Sequence, residues 1–231
     1  MVDSVALVPR DVMARYPRAR FLSEAEQERY EESVRNFVAS NYPPVPPAIN
    51  SLSPRMNGSN PWKVLLLNQI GIKTASIQKL DLLGDINPKF LEGFLVDVPA
   101  VILRSPTGRN EYLAKKLAEL VGITNFEVPH VIEGLEPEYD QNSPYGLSFK
   151  RGEQFRVIQA PDFSHKNHGE KFRKINPDYS IDFDKNGSKI LFTRSDGLSG
   201  LYLVWSLGVS SDYEYLALSN AYSRVVVIDS P

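Results

Sequence analysis

The clearest periodic signals in the chain are two helical stripes and a succession of short apolar runs. Tyr30, Val34, Phe37 and Val38 recur at helical spacing on an otherwise charged segment, which gives one apolar face. The Ser23–Glu26 stretch "SEAE" opens it as a capping box: the serine can cap the Glu26 amide while Glu26 reaches back. The helix is expected to stop near Tyr42, because "YPPVPPAINSLSPRMNGSNP" follows, and its prolines remove amide donors and favour extended backbone. This second segment reads as a linker or a strap across a domain surface. The helix is expected to dock on the domain, with pairing to a second copy as the alternative. In the other stripe, "RNEYLAKKLAELVGI", Asn110 is the expected cap, Leu113, Leu117, Leu120 and Val121 the buried face, and Gly122 the stop.

The remaining runs are mostly strand-like. "WKVLLLNQI" fits a buried strand or a short helix. "LEGFLVDVPAVILRS" holds two apolar runs split by Pro99, as two strands and a turn would be. "FEVPHVI", "YGLSFK" and "QFRVIQA" read as short strands. Asn186-Gly187 stands between alternating apolar residues and predicts a tight hairpin. "RVVVID" is apolar enough to be buried on both faces. The pattern implies an α+β protein with short antiparallel strands and few helices, plus an N-terminal helical extension. Residues 1–58 form the helix and proline-rich linker, and 59–231 the main domain.

Composition narrows the class. The chain has 231 residues, 42% of them hydrophobic and 23% charged, which suits a globular domain. A net charge of −2 argues against a general nucleic-acid or membrane-surface binder. The absence of cysteine removes disulfides, thiolate metal sites and cysteine nucleophiles. No apolar run approaches the length of a membrane span, and the first twenty residues do not follow the secretory pattern. Cytoplasmic localisation is the default, with display on a virion or a cell surface as the alternative. No nucleic acid, membrane insertion or cofactor is expected.

Catalytic and metal motifs are weak. "DFDKNG" begins like a calcium loop, but its twelfth position is Thr193 where a bidentate carboxylate is needed. His165, His168 and Glu170 lie close together and could hold a metal, so a metal-binding protein or small metal-dependent enzyme is the alternative function. His130 follows Pro129 in a short strand and reads as a packed structural residue. Ser76-Ile-Gln-Lys79 matches an acylating pattern without its partner motifs. Glu136 and Glu138 flank Pro137 in what reads as a solvated acidic loop.

The C-terminal tract is the unusual part. Ser199–Arg224 carries six serines, four of the chain's eleven tyrosines and Trp205, and no lysine. Tyrosine and tryptophan give large, rigid contact area at low entropic cost, and serine, glycine and asparagine adapt their hydrogen bonds. Lysine is depleted at interface centres. Leucines punctuate the tract and Val225–Ile228 close it, so aliphatic anchors would alternate with outward-facing residues. A meander of half-buried strands with a Tyr/Ser solvent face would have the same composition.

Several stretches give the chain a family resemblance: "VPAVILRSPTGRNEYLAKKLAELVGI", "YGLSF", "FRVIQAP", the Asn-Gly turn followed by "LFTRSDGLSGLYL", and the closing "RVVVID". From near Pro99 onward it resembles the variable proteins of diversity-generating retroelements, whose fold is similar to that of C-type lectins. In that family a template RNA is copied with errors at adenines and returned to the gene's 3′ end, so that adenine-rich codons spread among Tyr, Ser, Asp, Gly, Ala and Val. The resemblance implies a C-type-lectin-like, non-enzymatic ligand-binding protein with a variable region near 196–228 and an unknown protein or cell-surface ligand as partner. It implies that Tyr202, Val204, Trp205, Ser206, Gly208, Ser210, Asp212, Tyr213, Tyr215, Asn220, Ala221 and Tyr222 are displayed for binding. Leu201, Leu203, Leu207, Leu216 and Val225–Val227 would be scaffold. Glu214 is not reachable from an Asn codon by adenine changes alone, and Ser223 stands where glycine is expected. Self-association through the N-terminal helix, as an assembly protein, is a third reading.

Overall fold

A computed structural model describes residues 18–41, 52, 58–213, 215–218 and 222–229. In chain order the elements are β1 (Arg18–Phe21), α1 (Glu24–Asn41), α2 (Pro61–Gln69), α3 (Ile77–Ile86), the one-turn α4 (Pro88–Leu91), β2 (Leu95–Leu103) and α5 (Glu111–Val121). They continue with β3 (His130–Tyr139), β4 (Leu147–Gln159), β5 (Lys171–Ile175), β6 (Ile181–Phe183), β7 (Lys189–Phe192), β8 (Leu198–Leu203), β9 (Val209–Ser210), β10 (Ser223–Arg224) and β11 (Val226–Asp229). The protein is therefore mixed α+β, with a nine-stranded, mostly antiparallel sheet in the order β4-β3-β2-β8-β9-β7-β5-β6 and β10 beside β2. A separate two-stranded sheet joins β1 to β11.

Strand alternation divides the interior into two cores, one on each face of the sheet. Val96, Val98, Ala100 and Ile102 of β2, with Leu201 and Leu203 of β8, face the core that contains α3, Phe163, Phe172 and Tyr179. Val101, Leu103 and Leu198 face the other core, under α2, α5 and Tyr30 of α1. In β11, Val226 and Ile228 enter the first core and Val227 the second, so this strand is buried on both sides as its composition predicts.

The predicted capping box is present. Ser23 Oγ accepts the Glu26 amide at 3.4 Å, and Glu26 Oε2 accepts the Ser23 amide at 3.0 Å. The helical extension is not separate from the body. β1 pairs with β11 over all four residues, Tyr30 is fully buried, and Lys63 Nζ donates to Gln27 Oε1 at 2.9 Å. The strap expected at 42–60 falls largely outside the described residues, although Leu52 is buried in the α2-side core.

Four local expectations are corrected, and one choice left open is decided. "WKVLLLNQI" is helix α2, capped by Asn60 Oδ1, which accepts the Lys63 amide at 2.8 Å, with Pro61 at the first turn. Pro61–Leu67 are all buried, so the segment is apolar all round and carries no periodic stripe. Pro99 does not split two strands. It lies inside β2, where pairing lapses: β10 pairs with Leu95 and Val96, β3 with Ala100–Leu103, and the β8 register breaks between Asp97 and Val101. The missing amide therefore costs no ladder bond. Asn110 has a left-handed backbone (φ 56°) and makes no cap bond; its side chain donates to the Leu198 carbonyl at 2.8 Å and accepts the Tyr145 hydroxyl at 2.7 Å. "YGLSFK" and "QFRVIQA" merge into the single strand β4, which bulges through Gly152–Phe155 opposite Gly134 (φ +66°) of β3. The Asn-Gly turn makes no hairpin, because β6 and β7 both pair with β5, which lies between them. Asp184–Gly187 is an ordinary turn in which the Gly187 amide meets the Asp184 carbonyl at 2.8 Å.

α3 is held to the sheet by a buried ion pair. Lys189 Nζ reaches Asp81 Oδ1 at 2.7 Å and Asp85 Oδ1 at 2.9 Å, and Asp81 Oδ2 accepts the Ile175 amide at 3.0 Å. Burial pushes the Asp81 carboxyl up against the opposing pull of Lys189.

Candidate functional site

α2 and α5 cover only part of their face of the sheet. On the uncovered part the odd positions of β2 and the even positions of β8 come to the surface. Asp97 of β2 lies opposite Tyr202 of β8, Tyr202 opposite Ser210 of β9, and Ser210 beside Phe192 of β7. Residues opposite one another across a sheet share a face. This row is the floor of a cavity of about 430 Å³, together with Leu95, Gly200 and Ser223. Pro61 of α2 supplies one wall, and a Cβ at Gly200 would come within 2.7 Å of its Cγ. Loop residues Val204–Ser206 and Asp212–Leu218 supply the others.

The β8–β9 connection is a tight turn in which the Leu207 amide meets the Val204 carbonyl at 2.8 Å and the Val204 amide meets the Gly208 carbonyl at 2.9 Å. Leu207 closes it with a left-handed φ of 62°. Its side chain is seated against Gly84 of α3, 3.6 Å from where a Cβ there would stand. The next segment is tied down by Asn60 Nδ2, which donates to the Ala217 carbonyl at 3.3 Å, and by Leu216, which is buried against the Gly200 face.

Polar chemistry concentrates on two carboxylates. Asp97 is half-buried and lines the cavity, and desolvation pushes its carboxyl up to about 7, with the Ser59 hydroxyl as the neighbour that opposes the shift. Asp212 accepts from the Ser210 hydroxyl and, at 3.4 Å, from the Tyr202 hydroxyl. Burial pushes the Tyr202 phenol above its usual range. Two arginines stand nearby, and neither lines the cavity. Arg104 is buried behind the strands on the Ser199, Thr193 and Ser211 hydroxyls, at 2.7–2.9 Å, and burial followed by Arg194 pulls it down to about 9. Arg194 pairs with Asp196 at 3.0 Å.

No protein-family model, curated protein or solved structure matches the chain.

The residues expected to be displayed therefore fall into four groups. Tyr202, Val204, Trp205, Ser206, Ser210, Asp212, Tyr213 and Tyr215 all line the cavity. Tyr222 is exposed but lies outside the lining. Gly208 is buried beneath the turn, where a Cβ would stand 2.6 Å from the Ile190 carbonyl oxygen, so it is not on the displayed face. Asn220 and Ala221 lie outside the described residues. Of the expected scaffold, Leu201, Leu203 and Val225–Val227 are buried, while Leu216 is buried and also lines the cavity. Sequence reasoning missed Asp97, Leu95, Pro61 and Phe192. The one available signal was Asp97 itself, a lone acid inside "FLVDVPAVIL".

The other candidates take structural places. Ser76 caps α3, its Oγ accepting the Lys79 amide at 3.4 Å. Glu136 and Glu138 sit on β3 rather than in a loop: Glu136 pairs with Lys150 at 3.2 Å, and Glu138 accepts the Ser148 hydroxyl at 2.9 Å. His130 is buried in β3. His165 and His168 both turn Nδ1 toward the Thr193 carbonyl, at 3.4 and 2.7 Å, and Glu170 is exposed. Among the described residues no three His, Asp or Glu side chains converge to hold a metal. No described helix is long and apolar enough to cross a membrane.

Proposed function

We propose that the protein is a non-enzymatic binding protein of the diversity-generating retroelement kind. It would present a diversified Tyr/Ser/Trp surface on a C-type-lectin-like scaffold to a protein or cell-surface ligand. The observation that carries this reading is the sorting of the tract. Leu201, Leu203 and Val209 point into the core, while Tyr202, Val204, Ser210 and Asp212 line the cavity on the opposite face. Five of the nine exposed large apolar side chains among the described residues are Trp205, Tyr213, Tyr215, Leu218 and Tyr222, so the exposed apolar surface collects here. Aromatic anchors of this type dominate binding energy at protein interfaces.

The test is the DNA beside the gene. The reading expects a near-copy of the segment encoding residues 196–228 that differs only where the copy has adenine, next to a reverse transcriptase gene. A complete genome that lacks such a copy rejects the retroelement assignment.

A further inference from the structure

We propose that the cavity receives the cationic side chain of an arginine or lysine presented by a protein partner, its charge held by Asp97 and Asp212 and its stem laid against Tyr202, Tyr213 and Trp205. This rests on the binding function proposed above and narrows its ligand.

Charge complementarity is the first ground. The lining holds two carboxylates and no lysine, arginine or histidine among the described residues. The second is that no ion pair joins Asp97 to a cation among them, and the neighbour that opposes its shift is the neutral Ser59 hydroxyl. A carboxylate partly withdrawn from water without a counter-ion is costly, and a ligand cation relieves that cost. Burial has already moved this carboxyl up to about 7, which marks a site lacking its counter-ion. The third is the aromatic wall. Tyr213 and Tyr215 stand with ring centroids 5.8 Å apart beside Trp205 and Tyr202 at the same cavity. Ring faces attract cations, and the attraction strengthens where water is excluded. A cavity of about 430 Å³ is in the usual range for a ligand site, so a side chain and its flanking backbone both fit.

The division of labour sets the ligand class. Asp97, Leu95, Pro61 and Phe192 lie outside the tract 201–222, so they stay in place while the walls change. The fixed Asp97 then selects a cationic residue, and the variable residues around it, Asp212 among them, select what accompanies it.

The test uses the two tryptophans. Trp62 is fully buried and Trp205 is 60% exposed at the cavity, so their indole N–H signals separate the fold from the site. The full chain, labelled with nitrogen-15, is titrated with acetyl-Gly-Arg-Gly-amide and with the citrulline peptide, which keeps the shape and removes the charge. The expected result is a saturable shift of the Trp205 signal with the arginine peptide. The citrulline peptide should bind at least about tenfold more weakly, a difference of ~1.4 kcal/mol. Asp97→Asn should remove most of that preference, with the Trp62 signal unmoved as evidence of the fold. Asp212→Asn should reduce it as well and serves if Asp97→Asn does not fold. Equal binding of the two peptides, tighter binding of a Gly-Glu-Gly peptide, or no saturable shift with any peptide overturns the proposal. Equal binding leaves the binding surface standing, and the flanking DNA decides the retroelement assignment independently.

Discussion

Replacing Asp97 with asparagine should make the protein more stable at pH 8 and leave it unchanged at pH 4. The carboxyl titrates near 7 when folded and near the ordinary 3.8 when unfolded. Below about pH 4 both states hold the proton, and the group contributes nothing to stability. Between the two values the folded chain keeps a proton that the unfolded chain has lost, so stability falls as pH rises. Above about 7 both states are ionised and the full loss remains. Each pKa unit is worth about 1.36 kcal/mol, so the span from 3.8 to about 7 gives an upper bound of about 4 kcal/mol. The carboxylate still meets solvent in the cavity, and screening there reduces the expected loss to about 2 kcal/mol. Urea unfolding of both proteins at intervals from about pH 4 to about pH 8, followed by tryptophan fluorescence, measures the difference. Other titrating groups, His130 among them, occur in both proteins and cancel. A wild-type-to-variant difference that stays constant across that range refutes the argument, because it would mean that Asp97 ionises alike in both states.

Lys189→Met leaves Asp81 buried without its cation and should cost about 3 kcal/mol in urea unfolding, with Asp81→Asn added to it recovering at least about half. Gly208→Ala should cost about 1–3 kcal/mol, because its Cβ would press on the Ile190 carbonyl oxygen at 2.6 Å, while Ser206→Ala at the exposed tip of the same turn should cost less than about 0.5. Equal effects of the two would show that the turn is not held against β7. Tyr30→Phe removes a buried hydroxyl that has no hydrogen-bond partner among the described residues, and thermal unfolding should show a change between zero and about 1 kcal/mol of added stability.

What the sequence carried of the fold depended on whether the signal was local. The Ser23 capping box, Leu113 and Leu117 of the α5 stripe with its Gly122 stop, and the two-sided burial of Val226–Ile228 are properties of a few adjacent residues, and each is where the pattern places it; Leu120 and Val121 are only half-buried, and Ala114 and Ala118 complete the buried face. Errors arose where a distant partner decided the outcome. Pro99 signals a strand break on its own, and only the separate pairing of β10 and β3 along one edge of β2 provides a place for it inside the strand. Asn186-Gly187 fits a tight hairpin, yet Lys171 and Phe172 of β5 supply the pairing instead. Asn110 precedes a helix as a cap would, but Leu198 and Tyr145 compete for its side chain and win.

The candidate site follows the same division, with one consequence for how its walls can change. Which side of each strand a residue occupies is set by alternation, so the leucine punctuation of the tract was readable; that Asp97 lies under Tyr202 depends on pairing between residues more than one hundred positions apart. The energetic roles differ accordingly. Leu201, Leu203 and Val209 are fully buried, and truncating such residues costs about 2–5 kcal/mol. Trp205 and Tyr215 expose 60% and 58% of their surface, so alanine at either should change stability by no more than about 0.5 kcal/mol. Interface anchors of this kind can nonetheless cost 2 kcal/mol or more in binding. Stability loss at Trp205→Ala comparable to that at Leu203→Ala would mean that the rim is part of the frame, and a surface of that kind could not be rewritten without unfolding the protein.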